Sequence, residues 1–374
     1  MPLAPGEQDA KIKNQGKEAE MKRSARAACL ALLALAWLAS GLASGVPVAQ
    51  AAPARKLVYF IFTGYAYPYF APMAAAVKEA GAYTPDLQIR IVNANNSAAQ
   101  EIADLKEAVA AGAKGIILNT IQESVTAASL QAMQQGVPVV TVDRDVSNPA
   151  ARVAFIGDND FTLGQDLTRY GIETLGTREV PKPWNVVVLQ GTLGASVTIG
   201  RQAGTMSVLG PLVKDGSVKM VLNQSANFET ATAQTMIGAL LARTTNIQLV
   251  ACANDAMALG VINALKSHGV APGSKTLVAG ADAQPESLDA IKAGTQLDTV
   301  THSPYVEAFW AVEAMENYLD GGVKPPAGQF PNGDIIIPMT LVTGKNVASI
   351  AAWGTPEVIP PLPYGKSSPH PVKK

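Results

Sequence analysis

Cysteine and histidine are scarce in this chain of 374 residues, which holds two cysteines and three histidines. Cys29 lies in an N-terminal leader segment, so Cys252 stands alone in the rest of the chain, and a single thiol excludes a disulfide framework. The histidines His268, His302 and His370 are scattered, without a cluster of Cys, His and Asp at the spacing of metal ligands. We therefore predict no metal, and we interpret Cys252 as a small buried side chain.

Sequence motifs of catalysis and phosphate binding are also missing. There is no G-x-S-x-G motif, and Cys252 has no histidine near it in the sequence. The turn at residues 191–196 follows an expected strand, but it lacks the lysine of a P-loop and the third glycine of a dinucleotide fingerprint. We interpret it as a tight turn between a strand and a helix, and we predict no catalytic residue and no cofactor.

Excess charge is missing as well, since 29 Lys and Arg side chains face 30 Asp and Glu side chains, for a net charge of -1. Nucleic-acid binding normally leaves a basic patch, and no stretch after Arg55 shows one, so no nucleic-acid partner is expected. With 48% hydrophobic and 16% charged residues, the chain is long enough for two globular domains with substantial cores.

The N-terminus has the pattern of a secretory signal. Residues 1–20 are polar and are either disordered or upstream of a true start at Met21. Basic residues follow Met21, then an apolar run at 27–38, then small residues that end in an A-x-A site at Ala51. A membrane anchor is the alternative, but the apolar run is short for a bilayer. We expect residues 1–51 to be removed and the protein to be periplasmic.

From Arg55 onward, short apolar runs alternate with amphipathic stretches in two series. The first series predicts strands at 56–62, 87–93, 115–118, 137–142 and 153–156, and helices at 69–80, 97–111 and 124–135. The second predicts strands at 185–190, 218–223, 249–252, 276–280 and 297–301, and helices at 162–175, 201–213, 230–242, 256–268 and 285–293. A helix at 305–319, a strand at 334–339 and a proline-rich stretch follow. This alternation predicts parallel sheets with helices on both faces, in two lobes.

The turn after the first predicted strand is rich in aromatic residues, namely Tyr65, Tyr67, Tyr69 and Phe70. In doubly wound folds such a turn lies at the carboxyl end of the sheet, where ligands bind. Core or edge positions are the alternative for these rings. Aromatic residues in a polar turn that contains proline are well placed to line a cleft, so we interpret the turn as one wall of a ligand site.

Polar and aromatic residues also follow the ends of other predicted strands. They are Asp143, Arg144, Phe228, Asn254, Asp255, Asp282 and His302. Any one of them would serve as a helix cap or a turn residue, and we interpret Asp255 as a cap. As a set, carboxylates, an amide and a guanidinium can hold hydroxyl groups, while aromatic rings cover the apolar faces of a sugar or polyol.

From about Lys56 to Thr343 the chain resembles the periplasmic sugar-binding proteins of ABC importers, in the group that contains the ribose-binding protein. The resemblance lies in the runs YAYPYF, GVPVVTVDRD, LQG, ANF, ANDAMALG and VAGAD. It implies an α/β fold of two Rossmann-like lobes with parallel sheets, joined by a three-strand hinge, with the ligand in the cleft. The implied division is an N-terminal lobe at 55–158 and 303–334, a C-terminal lobe at 159–302 and 335–345, and an irregular tail at 346–374.

The resemblance also implies the ligand contacts, position by position. They are Tyr67, Tyr69, Phe70, Asp143 and Arg144 on one side, and Ile199, Arg201, Phe228, Asn254, Asp282 and His302 on the other. Three positions depart from the ribose binders, because Ile199 replaces an arginine, His302 an amide and Tyr67 an asparagine. We therefore expect a linear polyol or a less hydroxylated sugar to bind better than D-ribose.

The expected function is that of a non-enzymatic, monomeric protein that delivers a small neutral sugar or polyol to the membrane permease of an ABC importer. A chemoreceptor is a further candidate partner. Three alternatives stay open from the sequence: a sensor-type binding protein for a related metabolite, a sugar-responsive regulator without its DNA-binding domain, and an enzyme acting on a sugar in the same cleft.

Overall fold

The apolar runs of the sequence form the strands of two six-stranded sheets, as a computed structural model shows for Met21 and residues 54–372. The expected signal segment and its cleavage site lie outside these described residues, apart from Met21. The strands are β1 (Lys56–Phe62), β2 (Leu87–Asn93), β3 (Gly115–Asn119), β4 (Val139–Val142), β5 (Ala154–Gly157), β6 (Trp184–Gln190), β7 (Val218–Ser225), β8 (Leu249–Cys252), β9 (Leu277–Ala279), β10 (Asp298–Val300), β11 (Asp334–Ile336), β12 (Leu341–Thr343), β13 (Val358–Ile359) and β14 (His370–Pro371).

Helices cover both faces of each sheet. They are α1 (Phe70–Tyr83), α2 (Ala98–Ala110), α3 (Thr126–Gln134), α4 (Asp160–Thr177), α5 (Ser196–Lys214), α6 (Thr230–Leu241), α7 (Asp255–Ser267), α8 (Pro285–Lys292) and α9 (Pro304–Gly321). Short 3₁₀ turns lie at Glu123–Val125, Pro149–Ala151, Pro331–Gly333, Val347–Ser349 and Ala352–Gly354. The alternation of strands and helices confirms the predicted α/β fold of two lobes.

The first sheet has the order β11-β5-β4-β3-β1-β2, and all of its pairs are parallel. Alternate residues of β1 face opposite sides, since side chains in a strand alternate between the two faces. Tyr59 and Ile61 pack with residues of α2 and α3, while Phe60 and Phe62 pack with residues of α1 and α9. Each fully buried large apolar side chain contributes roughly 1.5–3 kcal/mol, so a strand buried on both faces anchors the lobe.

The second sheet repeats this plan in the order β12-β10-β9-β8-β6-β7. Val186 and Val188 of β6 pack with residues of α4 and α5, and Val187 and Leu189 pack with residues of α6 and α7. The pairs are parallel except at the edge, where β12 runs antiparallel to β10. The carboxyl ends of β6 and β8 therefore point to one edge of the sheet, where the loops before α5 and α7 begin.

The chain passes between the two sheets after β5, after β10 and after β11. β11 pairs with β5 through Ile336, so this strand stays with the first sheet two residues beyond the expected boundary after residue 334. β12 then pairs with β10 in the second sheet. Three strand-like passages therefore join the lobes, and each has one end close to the edge where the site lies.

Helix α5 begins at Ser196, five residues before the predicted start at residue 201. Its N-cap residue is Ala195, whose side chain offers no hydrogen-bond acceptor, so the usual Ser, Thr, Asp or Asn signal is absent from the sequence. The helix also contains Pro211, a residue that normally marks a helix end. The earlier start changes which residues of this helix face the cleft.

The segment after residue 345, predicted as an irregular tail, packs at Val347 on the second lobe and from β13 onward on α9 of the first lobe. Trp310 Nε1 of α9 donates a hydrogen bond to the Pro360 carbonyl at 2.8 Å. Asn317 Nδ2 donates to the Lys366 carbonyl at 2.9 Å, and Lys366 N donates back to Asn317 Oδ1 at 2.8 Å. β13 and β14 form a short antiparallel pair, and Tyr364 is buried. Side chains of α9 thus supply hydrogen-bond partners for backbone groups of this segment.

Cys252, at the end of β8, is fully buried and forms no disulfide. Burial, followed by the nearby carboxyls of Asp255 and Asp298, raises the pKa of its thiol well above the usual range. The thiol therefore stays protonated and acts as a small core side chain, as expected from its apolar strand.

Within residues 54–372, no helix combines the length and the apolar character that crossing a membrane requires.

Candidate functional site

A small cavity lies between the two lobes, at the carboxyl ends of the strands. Its lining residues come from both lobes and from one hinge passage: Tyr67, Tyr69, Phe70, Asp143, Arg144, Val197, Arg201, Phe228, Asn254, Asp282 and His302.

Aromatic rings form the two apolar walls. Tyr67, Tyr69 and Phe70 come from the turn that leads into α1, and the Phe70 ring lies edge-on to both tyrosine rings, at 5.8 and 5.6 Å. Phe228 enters from the loop after β7, with φ +61°. Gly191 makes room for it, because a Cβ at residue 191 would stand 1.9 Å from the Phe228 ring.

Asp143 and Arg144 follow β4 directly. Asp143 has φ +60°, and its Oδ2 accepts a hydrogen bond from Asn119 Nδ2 at 2.7 Å. The guanidinium carbon of Arg144 lies 5.2 Å from the Phe70 ring centre and 5.4 Å from that of Phe228, which places the cation between the aromatic walls. Arg144 Nε is buried 3.6 Å from Asp143 Oδ2 and makes no hydrogen bond within the described part of the chain. A buried donor of this kind is suited to a ligand hydroxyl.

Arg201 supplies a cation from the second lobe. Its Nε donates to Asp160 Oδ1 at 2.9 Å, and its Nη1 donates to the Ala253 carbonyl at 2.8 Å and to Asp282 Oδ1 at 3.3 Å. Burial lowers the pKa of Arg201, but the carboxylates of Asp160 and Asp282 raise it by more. The guanidinium therefore stays charged and holds Asp282 at the cavity.

His302 lies on the hinge passage between β10 and α9, surrounded by carboxyl groups. Its Nε2 is 3.0 Å from Glu307 Oε1, 3.4 Å from Asp143 Oδ1 and 3.8 Å from Asp158 Oδ2. Its Nδ1 is 3.3 Å from Asp282 Oδ1. Burial lowers the pKa of the ring, but the Glu307 and Asp158 carboxyls raise it by more, to well above its ordinary value. Arg201 Nη2 also lies 3.1 Å from Nδ1, so the ring lies between carboxyl groups of both lobes and a guanidinium of the second lobe.

Glu307 and Asp158 lie behind the cavity lining, beside His302, and were not predicted from the sequence. Glu307 Oε2 accepts a hydrogen bond from the Tyr69 hydroxyl at 2.7 Å. Burial raises the pKa of Glu307 to about 7, and it raises the pKa of Asp158 well above its ordinary value. The signal for Glu307 was a carboxyl within the otherwise apolar run VEAFWAV of α9.

One atom each of Asp143, His302 and Glu307 lies within 4.8 Å of the others, which is close enough for a metal ion. Two of these atoms, on His302 and Glu307, are already hydrogen-bonded to each other. The Arg201 guanidinium, 3.1 Å from His302 Nδ1, already places a positive charge beside these groups. The arrangement therefore suits a hydrogen-bonded charge cluster.

Ile199 was predicted as a ligand contact, and the structure does not support this. The side chain lies on the outer face of α5, is 50% exposed and does not line the cavity. Val197, two residues earlier, is buried and lines the cavity in its place. Because the helix begins at Ser196, residues 197 and 201 share one face, and residue 199 points to the opposite side. The remaining ten predicted residues all line the cavity.

Asn254 caps α7 by accepting a hydrogen bond from Met257 N at 3.0 Å, while it also lines the cavity. Asp255, the expected cap, is instead fully buried behind the site. Its carboxylate accepts hydrogen bonds from Gln284 N and Thr299 Oγ1, both at 2.9 Å. Asn254 thus takes the capping role that we predicted for Asp255 and also lies at the cavity as predicted.

Three direct contacts join the lobes beside the cavity. Asp145 N donates to Ser196 Oγ at 2.8 Å, and Glu123 N donates to the Gly194 carbonyl at 2.9 Å. The hydroxyls of Tyr67 and Thr192 are 3.4 Å apart. The lobes are therefore closed over the cavity, with the turn before α5 as their meeting point. We refer to the Asp145–Ser196 and Glu123–Gly194 hydrogen bonds as the latch.

The chain is similar to known proteins across this same region. The sequence model of the family described as "Periplasmic binding protein domain" matches residues 58–322. The ribose import binding protein of Bacillus subtilis (strain 168) is 28% identical over 255 residues, which cover 68% of this chain and 78% of that protein. The galactofuranose-binding protein of Escherichia coli (strain K12) is 25% identical over 261 residues, covering 68% and 79%.

A solved structure agrees with this similarity. The Caulobacter myo-inositol binding protein, bound to myo-inositol, matches with a TM-score of 0.71 and 25% identity, over 80% of this chain and 96% of that one. Every residue that lines the cavity falls within residues 58–322.

Proposed function

From the premise that the chain belongs to the periplasmic binding protein family, we propose that it captures one small neutral sugar or polyol between its lobes and delivers it to the permease of an ABC importer. The observation that carries the proposal is the composition of the cavity. Two guanidinium groups, two carboxylates and an amide lie between opposed aromatic walls.

The polar groups match what a polyhydroxylated ligand needs. Asp143 and Asp282 accept hydrogen bonds from hydroxyls, Arg144 donates them, and Asn254 can do both. Phe70 and Phe228 face each other across Arg144 and would cover the C–H faces of a ring or chain.

The cavity contacts define the identity of the ligand less sharply than the three positions that depart from the ribose binders. The expectation that D-ribose is disfavoured depended in part on Ile199, which lies outside the cavity. Arg201 supplies a cation on that side. Tyr67 and His302 do line the cavity, but the Tyr67 hydroxyl lies beside Thr192 and both His302 nitrogens lie beside carboxyl groups. The proposal therefore places D-ribose inside the panel of candidate ligands.

Binding without turnover is part of the proposal. The proteins that the chain resembles are named as binding proteins, and the cavity holds no pair of groups arranged as nucleophile and base. In this proposal the protein is exported to the periplasm and its leader is removed near Ala51. It acts as a monomer, and a chemoreceptor reads its closed form.

The test is calorimetric titration of the purified protein with D-ribose, D-allose, L-arabinose, myo-inositol, xylitol and sorbitol. We expect one-to-one binding of at least one member with a Kd of about 10 μM or tighter, near -7 kcal/mol. Recovery of the compound unchanged after incubation would agree with binding without turnover. Absence of binding across the panel, or conversion of a bound sugar, would contradict the proposal.

A further inference from the structure

The described residues 54–372 contain a fourth passage between the lobes, formed by the segment after β12. Val347 is buried with Ala283, Leu288 and Val342 in a cluster of the second lobe. By β13 the chain has reached α9 of the first lobe, where the Pro360 carbonyl accepts the Trp310 bond. This passage lies beyond residues 58–322, the part that matches the family. We call residues 350–356 the strap.

Trp353 is the residue of the strap that contacts both halves of the ligand site. Its ring lies 5.5 Å from the Tyr69 ring, edge to face, and Tyr69 lines the cavity. Its backbone N–H donates to the Ala283 carbonyl at 2.6 Å, directly after the cavity residue Asp282. One residue of the tail thus supports a residue from each lobe.

Four side chains contact Tyr69. Its hydroxyl donates to Glu307, and its ring lies 4.5 Å from the His302 ring. Phe70 and Trp353 meet it edge to face at 5.6 and 5.5 Å. The contact with Trp353 is the one that comes from outside the family-matched region, so the ring position depends on the tail.

The backbone of the strap is held in an uncommon conformation. Trp353 has φ +60°, in the left-handed region that residues with a side chain rarely adopt. Gly354 has φ +64°, and a Cβ there would approach the Thr301 side chain at 2.5 Å. Such a conformation persists only where the surroundings fix it, and it clusters at functional sites. The Trp353–Ala283 bond and the close approach to Thr301 supply that fixation.

We propose that Trp353 is a positioning residue for the ligand site, and that the strap carries it there. It holds the Tyr69 ring against the cavity and, through Ala283, keeps the Asp282 loop at its place. The binding part of this inference rests on the proposed function, whereas the positioning of Tyr69 can be measured without any sugar.

The first test is hydrogen exchange of the ligand-free protein, followed by mass spectrometry. In Trp353→Ala, we expect the amides of the second turn of α1, Ala74–Val77, to exchange about tenfold faster than in the wild type, because these N–H groups bond to the first-turn carbonyls and exchange through local opening. Trp184→Phe is the matched control, since it changes a buried tryptophan of the second lobe and should leave this turn unchanged. Trp353→Phe, which keeps a ring, should restore most of the protection.

Equal exchange in wild type and Trp353→Ala would overturn the proposal, and so would the same change in Trp184→Phe. If Trp353→Ala fails to fold, Trp353→Leu replaces it, since this variant keeps apolar volume but removes the ring. The expectation for Ala74–Val77 is then the same.

The second test is a double-mutant cycle with D-ribose and myo-inositol as the probes. Trp353→Ala should weaken binding about tenfold in the wild-type background and less than about twofold in a Tyr69→Ala background, since coupled residues are not additive. Additive losses would overturn the proposal. If neither probe binds the wild type, the proposed function is in question, and the exchange experiment still decides the role of Trp353.

Discussion

His302 Nε2 and Glu307 Oε1 are 3.0 Å apart, beneath the cavity and between the two lobes. His302 belongs to a hinge passage, and Glu307 belongs to the first turns of α9, which pack on the first sheet. Since Tyr69 donates to the other oxygen of Glu307, the protonation of this pair is linked to the position of a ligand-contacting ring.

The first prediction is that the free energy of unfolding falls as pH rises from 5 to 8. The native state raises the pKa of Glu307 from its ordinary 4.5 to about 7 and that of His302 above its ordinary 6.5, so the folded protein binds more protons than the unfolded chain in this window. Stability then decreases with pH. Urea denaturation of ligand-free protein at pH 5, 6.5 and 8 measures it.

The matched pair for this prediction is Glu307→Gln and Glu107→Gln. The first variant removes one of the two groups and should flatten the pH dependence, whereas the second lies on the exposed surface of α2 and should follow the wild type. A stability that is constant or rises between pH 5 and 8 would contradict the linkage.

Asp143→Ala should weaken ligand binding about tenfold or more. A hydrogen bond to a charged group in a partly desolvated cavity is worth roughly 1.5–3 kcal/mol, which corresponds to one to two decades of Kd. Calorimetry with the tightest member of the ligand panel measures the loss, with Asp166→Ala on the exposed face of α4 as the control. Unchanged affinity in Asp143→Ala would remove this carboxylate from the site.

Ligand should shift the lobes toward the closed form, with the latch as part of its stabilisation. Small-angle scattering should give a smaller radius of gyration with saturating ligand than without it. Ser196→Ala removes the acceptor for Asp145 N, and losing about 0.5–1.5 kcal/mol should weaken binding about two- to tenfold. Ser207→Ala in the same helix should leave Kd unchanged. Scattering curves that do not respond to ligand would count against closure.

Ile199→Arg should leave ligand affinity within about twofold, because the side chain lies on the exposed face of α5. Val197→Ala should change affinity instead, since it alters the wall of the cavity. Titration of both variants with the tightest ligand separates these positions. A large gain in affinity from Ile199→Arg would show that the side chain reaches the ligand after all.

Processing of the N-terminus gives a further prediction. If Met21 begins the leader, mass spectrometry of exported protein should show a mature chain that starts at or near Ala52. A mature chain that retains residues 27–38 would indicate a membrane anchor.

The fold was predictable from the sequence because the strands are short apolar runs buried on both faces. β1, β2 and β8 have the predicted bounds, and nine helices were expected near their observed places. The start of α5 was missed because Ala195 offers no capping side chain, so the turn and the first helical residues look alike. Five residues of error in that boundary are enough to place Ile199 on the wrong face.

The site was predictable where a residue directly follows a strand, as with Asp143, Arg144 and Asp282, because parallel strands end at one edge. Residues that support the lining from within a helix, such as Glu307 behind Tyr69 and His302, carry no such positional signal. Trp353 could not be predicted, because its contact with Tyr69 depends on a left-handed turn and joins residues that are 284 positions apart in the sequence. Contacts of this kind follow from the assembled lobes alone.

The burial of Cys252 has a practical consequence for observing how the lobes open and close. Because the thiol is fully inside β8 and protonated, it should resist maleimide reagents, and it is the one cysteine in the described range of residues 54–372. Two cysteines introduced on exposed positions, Glu107 in the first lobe and Asp289 in the second, would then accept a donor and an acceptor dye without background. Single-molecule energy transfer between them would report the opening of individual molecules in real time.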